Sequence, residues 1–257
     1  MKLAQNDVRE MVRLVAEVAA LPGGHTEKKR FLMKGLCKLI DADAWIWGLS
    51  CQRDPAEPRV YVSFMNGGLS KESFEKFLKA LGHPEVVALT SRFFSQVQEE
   101  NAHLTRLKNQ IIDESRFAQI GAHPIWKEAD VGCLIMSLRP LDPCSGSGIG
   151  LLRRYHREKF SARESRIAHI VLTEVPWLHE QGWPMDRGAS APALSQRLRL
   201  ALNLLTLGQS RKEIAARMNI STHTVQGYVK TIYRHFGVHS QGELMNRFYE
   251  GNGQDVP

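Results

Sequence analysis

Residues 208–238 of the 257-residue chain, GQSRKEIAARMNISTHTVQGYVKTIYRHFGV, contain the strongest local signals for the fold of the C-terminal region. Ser210 followed by Glu213 is a capping box, in which each side chain accepts a hydrogen bond from the other residue's backbone N–H group. It predicts the start of a short helix. Ser221 is a favourable N-cap and predicts a second helix from 222 to about 236. Two helices joined by a three-residue turn predict a helix-turn-helix motif.

The second predicted helix has an apolar side and a polar side. Helical spacing places these residues on the apolar side: Val225, Tyr228, Val229, Ile232 and Phe236. The opposite side is polar and carries His223, Gln226, Gly227, Lys230 and Arg234. In a helix-turn-helix, the outward face of the second helix enters the major groove of DNA. The polar side is therefore the expected nucleic-acid face.

Two further helices are expected to complete a small C-terminal core. An apolar stripe precedes Gly208 and contains Leu194, Leu198, Ala201, Leu202 and Leu205, and a last helix at 241–249 carries Leu244, Met245 and Phe248. Residues 194–250 contain eight Lys and Arg residues against three acids, within a chain of net charge +7. Such a balance is typical of a phosphate-binding module.

Several short segments, in this order, resemble the LuxR-type helix-turn-helix family of DNA-binding transcription regulators. They are LSQR at 194–197, Leu202, GQSRKEIA at 208–215, ISTHTV at 220–225, IYRHFGV at 232–238 and Glu243-Leu244. The resemblance spans about 56 residues. It implies an all-α domain of four helices with its recognition helix at 222–236.

The resemblance also implies which residues would meet DNA. The base-reading positions would be Gln226, Gly227 and Lys230, and phosphate contacts would come from Lys212, Ser221, Thr224, Tyr228 and Arg234. Thr222, His223 and Thr231 complete the predicted DNA-contacting set. The chemistry agrees, because Gln can bond an adenine edge in two places and Lys can donate to guanine.

The expected partner is double-stranded DNA, bound by a homodimer on a two-fold operator, because helix-turn-helix dimers read paired half-sites. RNA polymerase is a further expected protein partner, and a small-molecule effector is left unidentified. No cofactor is expected. No segment is apolar over the roughly 18 residues that a membrane span needs, and the start of the chain lacks a secretory signal, so a cytoplasmic protein is expected.

The region before residue 184 alternates between helical and strand patterns. Helices are predicted at 8–20, 31–40, 73–81 and 85–111, and another after a capping box at Ser161 and Glu164. Strands are predicted as two hairpins: 44–50 with 59–64 around a turn at 54–58, and 131–138 with 149–155 around a loop at 143–148.

These elements predict an α+β domain with an antiparallel sheet. Their order resembles the GAF and PAS group of sensory domains. We therefore expect a sensory or dimerisation domain at 1–183, a Gly- and Pro-containing linker at 184–193, the helix-turn-helix domain at 194–250 and a tail at 251–257.

Metal, disulfide and catalytic sites are not expected. Cys37, Cys51, Cys133 and Cys144 form no CxxC pair, and reduced thiols are expected. The histidines at 103, 123, 156 and 169 lack metal-ligand spacing. Aromatic residues in the predicted strands and helices could line a ligand pocket, but we expect core packing for them: Trp45, Trp47, Tyr61, Phe64 and Trp126.

Three alternative functions stay open. An enzyme with a nucleic-acid-binding tail is not favoured, because no nucleophile elbow, P-loop, HExxH or catalytic carboxylate pair is present. A phosphorylated response regulator would open with a strand running into paired acids, whereas Asp41 and Asp43 follow a predicted helix. A quorum-sensing autoinducer receptor has the same domain order, but its usual Trp and Asp pattern is not seen.

Overall fold

The computed structural model describes residues 3–51, 60–141, 145–180, 196–206, 208–218 and 220–250. Its N-terminal part begins with helices α1 (Gln5–Ala20) and α2 (His25–Ile40), strands β1 (Ala44–Cys51) and β2 (Val60–Gly67), and helices α3 (Lys71–Leu81) and α4 (Pro84–Glu99). Strand β3 (Leu104–Leu107) is followed by the short helices α5 (Lys108–Ile111), α6 (Glu114–Phe117) and α7 (Ala122–Glu128). Strands β4 (Cys133–Pro140) and β5 (Ser145–Arg153) and helices α8 (Ala162–Thr173) and α9 (Pro176–Glu180) complete it.

All described strands belong to one antiparallel sheet in the order β2-β1-β5-β4-β3. The two predicted hairpins are present, and the sheet is joined at its centre by β1 and β5, where Gly48 lies opposite Gly148. This arrangement confirms the predicted α+β class with an antiparallel sheet. The likeness to GAF and PAS domains stays a prediction.

Helices cover both faces of the sheet, and each face has its own apolar core. Because side chains alternate along a strand, Trp47, Ile149 and Leu151 face α1, α2, α8 and α9. Ile46, Met136 and Leu138 face α3, α4, α6 and α7 on the other side. The N-terminal part therefore has one apolar core on each side of a single sheet.

Three N-terminal predictions were wrong or incomplete. The helix predicted at 85–111 ends at Glu99, and residues after Asn101, which has a left-handed φ of 46°, form β3 against β4. Helices α6 and α7 were not predicted. The predicted strands at 131–138 and 149–155 are shifted to Cys133–Pro140 and Ser145–Arg153, so residues 145–148 pair in a strand and not in a loop.

The loop prediction failed because Ser and Gly usually indicate a turn, whereas here they form part of a paired strand in which an added side chain would approach its neighbours closely. A Cβ added to Gly148 would lie 3.1 Å from Leu138 Cδ2, and one added to Gly150 would lie 3.1 Å from Leu134 Cδ1. The predicted turn at 54–58, Cys144, the linker at 184–193 and the tail at 251–257 lie outside the described residues.

The C-terminal part has helices α10 (Gln196–Thr206), α11 (Arg211–Met218), α12 (Thr222–Phe236) and α13 (Gln241–Glu250). This confirms the four-helix prediction. The capping box is present, since Ser210 N donates to Glu213 Oε2 at 2.7 Å and Glu213 N donates to Ser210 Oγ at 3.4 Å. Within the described ranges, none of the helices is long and apolar enough to cross a membrane.

Candidate nucleic-acid interface

Helix α12 has a defined start and end. Ser221 has extended backbone angles, and its Oγ accepts a hydrogen bond from Thr224 N at 3.1 Å, which satisfies one of the free N–H groups at the helix start. Gly237, at φ 60°, ends the helix in the left-handed conformation that glycine adopts without strain. The polar face of α12 is therefore held at both ends by local sequence.

The apolar side of α12 is buried against the other C-terminal helices. Val225 and Ile232 have no exposed surface, and Val229 is 2% exposed. They pack with residues of α10, α11 and α13, including Leu204, Ile214 and Leu244. Fully burying each of these side chains contributes roughly 1.5–3 kcal/mol. This packing fixes the rotation of α12 and determines which side chains point outward.

Most of the predicted DNA-contacting residues are exposed on the opposite side. The exposed members are Lys212, Ser221, Thr222, His223, Gln226, Gly227, Lys230, Thr231 and Arg234. Lys212 belongs to α11 and the others belong to α12 or its cap. The structure thus leaves these residues exposed, with α11 packed against α12, and their contact with DNA stays a prediction.

Some of the predicted residues have a role within the fold. Ser221 Oγ and Thr224 Oγ1 lie 2.9 Å apart, so their hydroxyls bond each other at the cap. Thr231 Oγ1 donates to the carbonyl oxygen of Gly227 at 3.0 Å. Thr224 is half-buried, as is Tyr228, which packs against the edge of the C-terminal core. These side chains have less freedom to reach a ligand than Gln226 or Lys230.

The charge on this surface is positive. Lys212, Lys230 and Arg234 are exposed, and the N-terminus of α12 adds the positive end of its helix dipole. Glu213 bonds the backbone at Ser210, and Glu243 accepts from the backbone N–H of His239 at 2.9 Å. Both carboxylates lie on other helices, and α12 itself contains no acidic residue, so its outward face keeps its cationic character.

An apolar cavity in the N-terminal domain is a feature that the sequence did not reveal. It is a small, open pocket with a volume of about 40 Å³ between the sheet and α3. Its lining is Ile46, Gly48, Phe64, Phe77, Leu81, Leu134, Met136, Leu138, Gly148, Ile149 and Gly150. Gly48, Gly148 and Gly150 lie side by side on β1 and β5, and their missing side chains leave the space open. Only a comparison across strands, which sequence spacing does not give, relates these glycines.

Of the aromatic residues expected to pack in the core and not to line a ligand pocket, the three tryptophans are buried in the core. Trp45, Trp47 and Trp126 are at most 6% exposed and belong to the apolar cores, whereas Phe64 is half-buried and lines the cavity.

Thiol and metal chemistry finds little support in the described ranges. Burial, with a smaller effect of the Asp43 charge, raises the pKa of Cys37 to about 12, and burial also raises the pKa of Cys133. Both thiols are free and protonated near neutral pH. No group of three or more His, Cys, Asp or Glu residues in these ranges is arranged to hold a metal ion.

The C-terminal part of the chain is similar to a known protein family. Residues 192–248 match the family described as bacterial regulatory proteins, luxR family. No curated protein sequence is significantly similar to the chain.

Three solved structures are similar to the chain at low sequence identity and low TM-score. SdiA in complex with octanoyl-rac-glycerol is 12% identical over 98% of each chain, with a TM-score of 0.41. The VqsR LBD domain from Pseudomonas aeruginosa is 14% identical over 68% of this chain and 94% of its own, with a TM-score of 0.44. CepR2 from Burkholderia cenocepacia, described as an N-acylhomoserine lactone dependent LuxR family transcription factor, is 8% identical over 67% of this chain and 92% of its own, with a TM-score of 0.44.

Proposed function

We propose, from the finding that residues 192–248 are a helix-turn-helix domain of the luxR family of bacterial regulatory proteins, that this chain is a sequence-specific DNA-binding transcription regulator. The observation that carries the proposal is the exposed polar and basic face of α12, held outward by a buried apolar side. In this proposal residues 194–250 bind DNA and residues 1–183 control that binding.

Base reading is assigned to the middle of α12. Gln226 and Lys230 lie one helical turn apart and are both exposed, so a groove that receives α12 would meet them together. Gln226 would bond an adenine edge and Lys230 a guanine edge, each worth about 1–3 kcal/mol of discrimination against a wrong base. Gly227, between them, lets the helix approach the groove closely.

Affinity would come mainly from phosphate contacts. Lys212 on α11 and Arg234 near the end of α12 supply cations on either side of the base-reading residues. The cap at Ser221 presents a helix N-terminus, a favourable position for a phosphate group. Each phosphate neutralised by a cation releases counterions, so the affinity should depend strongly on salt.

We further propose a homodimer that places two copies of α12 in successive major grooves of a two-fold operator, because one short helix reads too few bases alone. RNA polymerase is the proposed downstream partner. A catalytic role is not part of the proposal.

The test is selection of bound fragments from genomic DNA by the full-length protein, comparing wild type with Gln226→Ala, Lys230→Ala and Arg234→Ala. Wild type should enrich a two-fold motif. Gln226→Ala and Lys230→Ala should relax the motif at specific positions, at a cost of about 1–3 kcal/mol each for the preferred site. Arg234→Ala should weaken binding to all sequences and reduce the salt slope by about one.

Arg217→Ala is the matched control, because Arg217 is an exposed cation of α11 outside the predicted contact set. It should leave the motif unchanged. Enrichment of the same motif by Gln226→Ala and Lys230→Ala would contradict base reading by α12, and absence of enrichment by every protein, with or without cell extract, would contradict DNA-binding regulation.

A second proposal concerns the signal, and the apolar cavity favours it. The side chains that line the cavity are apolar and its floor is made of glycines, so its surface suits an aliphatic chain. Because its volume is only about 40 Å³, binding a whole chain would require α3 to move away from the sheet. The chain would then be a ligand-responsive regulator, in agreement with the autoinducer-type alternative.

Binding of octanoyl-rac-glycerol, measured by calorimetry on wild type, Leu81→Trp and Leu69→Trp, tests this proposal. Leu81 lines the cavity, and a tryptophan there would fill it and abolish binding. Leu69 packs against the same core outside the cavity lining, so Leu69→Trp should bind as wild type does. Equal binding by all three proteins would place the ligand elsewhere.

A further inference from the structure

A chain of hydrogen bonds runs through the core on the face of the sheet opposite the cavity. Trp47 Nε1 donates to Ser147 Oγ at 2.8 Å, and Ser147 Oγ lies 2.8 Å from His179 Nδ1. His179 Nε2 lies 3.0 Å from the carbonyl oxygen of Leu172. Because a carbonyl only accepts, Nε2 carries the proton and Nδ1 accepts from the hydroxyl of Ser147. The bond from Ser147 to Nδ1 therefore needs a neutral imidazole on α9, whereas the bond from Nε2 to the Leu172 carbonyl would persist in a protonated ring.

A second chain lies beside the first. His103 Nε2 is 2.7 Å from Ser137 Oγ, Ser137 Oγ is 2.8 Å from Thr105 Oγ1, and Thr105 Oγ1 is 3.1 Å from His169 Nδ1. The ring of His103 lies 5.1 Å from that of His179 and 5.8 Å from that of His169. The imidazoles of His169 on α8, His179 on α9 and His103 before β3 thus lie close together and bond hydroxyl groups of the strands.

The charged groups that act on these imidazoles are cations. Arg106 on β3 acts on His169, and Arg139 on β4 acts on both of the other imidazoles. Lys29 on α2 is fully buried, with Nζ 4.8 Å from the ring centre of Trp47, and also acts on His179. Within the described ranges, no carboxylate is among the groups that shift the pKa values of the three histidines.

Burial and these cations keep the imidazoles neutral. Burial, followed by the charges of His169 and Arg139, lowers the pKa of His103 to about 3. Burial is also the largest cause of the pKa of His179 lying well below its ordinary value, and His103 adds to it. Burial and Arg106 lower the pKa of His169.

A proton on His179 would disturb both the bonding and the charge of this region. Protonated Nδ1 becomes a donor that faces the hydroxyl of Ser147, which already accepts from Trp47, so the Ser147 proton loses its acceptor. The new charge would also lie buried near the cations Lys29 and Arg139, which disfavour it.

We propose that His103, His169 and His179 form a neutral-histidine lock that holds α8 and α9 against the sheet, and that mild acid raises the fraction of molecules in which this lock is transiently open and thereby changes DNA binding. Helix α9 ends at Glu180, and residues 181–195 are all that separates it in sequence from α10. The opening concerns the N-terminal domain alone, whereas its effect on DNA rests on the proposed function.

The direction of the pH dependence follows from the lowered pKa values. Histidine in an unfolded chain has a pKa of about 6.5. A group whose pKa is lowered on folding stabilises the fold above its unfolded value, and this stabilisation is lost as the pH falls toward the folded value, about 3 for His103. The lock should therefore weaken below about pH 6.5, above the range in which most carboxylates titrate.

The test is hydrogen exchange of the full chain at about pH 7.5 and about pH 5.5, corrected for intrinsic rates, compared between wild type and His179→Gln. Protection of residues 162–180 should fall in wild type, with each histidine contributing a factor approaching ten per pH unit. A glutamine can accept and donate as the neutral imidazole does but does not titrate, so the fall should be up to about tenfold smaller.

His156→Gln is the matched control, because His156 is exposed in the same domain. It should respond to pH as wild type does. The same fall in protection in His179→Gln as in wild type would overturn the lock. If His179→Gln fails to fold, a nitrogen-15 NMR titration of the histidines in wild type provides the test. His179 should stay neutral at about pH 5.5, with its proton on Nε2. Titration of His179 near pH 6.5 would overturn the lock.

DNA binding at the two pH values is compared between wild type and His179→Gln, so that the exposed imidazole of His223, present in both proteins, contributes equally. If the affinity changes with pH in wild type and changes less in His179→Gln, the lock controls DNA binding. A fall in protection with an unchanged affinity overturns that control. A protein that binds DNA at neither pH, yet loses protection in acid, contradicts the proposed function while supporting the lock itself.

Discussion

At the scale of single residues, Gly227 is the position where the needs of folding and of function separate. It lies in the middle of α12, is exposed, and a Cβ added there would have nothing within 4 Å. Glycine costs a helix interior about 0.8–1 kcal/mol relative to alanine. Nothing in the described structure of the C-terminal domain requires that cost.

We therefore expect Gly227→Ala to stabilise the free protein by up to about 1 kcal/mol in urea unfolding, yet to weaken DNA binding or alter the preferred site because the methyl group meets the groove. Gly242→Ala is the control, because a Cβ there would have only Ser240 Oγ nearby, at 4.0 Å, and Gly242 lies outside the predicted DNA-contacting set. Unchanged affinity and specificity in Gly227→Ala would remove Gly227 from the DNA surface.

At the scale of helices and strands, the start of α12 joins a structural role to a proposed binding role. Ser221 Oγ caps the helix through Thr224 N, and Ser221 is also a proposed phosphate neighbour. Ser221→Ala should destabilise the C-terminal domain by about 1 kcal/mol, whereas Ser221→Asp should keep the cap and most of the stability.

The DNA affinity of Ser221→Asp should nevertheless fall by at least about tenfold, because a like charge placed against an interface costs more than the 1.4 kcal/mol that a factor of ten represents. Thermal unfolding followed by circular dichroism and a binding titration separate the two effects. Ser240→Asp alters the comparable cap of α13, where Glu243 N donates to Ser240 Oγ at 3.1 Å, and should leave affinity unchanged. If both aspartate variants bind DNA equally well, Ser221 does not face phosphate.

Sequence-based prediction also succeeded or failed at this scale, depending on whether an element rests on local or distant residues. The caps at Ser161, Ser210 and Ser221 were predicted because each is a local pattern of about four residues. Strand β3 was missed because its four residues continue the apolar pattern of α4 and are stabilised by pairing with β4, 28 to 34 positions later. The cavity and the imidazole cluster depend on such distant pairings as well, so no local pattern indicated them.

At the scale of the whole molecule, the described chain has separate apolar cores. Leu32, Leu36 and Ile40 belong to the core between the sheet and α1, α2, α8 and α9, whereas Leu204, Ile214 and Ile232 belong to a core formed within α10–α13. All five tryptophans of the chain lie at or before residue 183, so tryptophan fluorescence reports on the N-terminal region alone. Circular dichroism reports on the helices of both regions.

This distribution gives a test of the proposed domain division. Ile232→Ala removes a fully buried side chain of α12 and should cost about 2–5 kcal/mol, lowering the unfolding midpoint of one circular dichroism transition while the tryptophan transition stays in place. Leu36→Ala, equally buried in α2, should do the reverse and shift the tryptophan transition. Each variant is the control for the other, because both remove the methyl groups of one buried aliphatic residue. Ile232→Ala and Leu36→Ala could instead shift the tryptophan transition equally. The two regions would then unfold as one cooperative unit. In that case a signal from the N-terminal region would have to reach DNA through a shared fold and not through a linker between two domains.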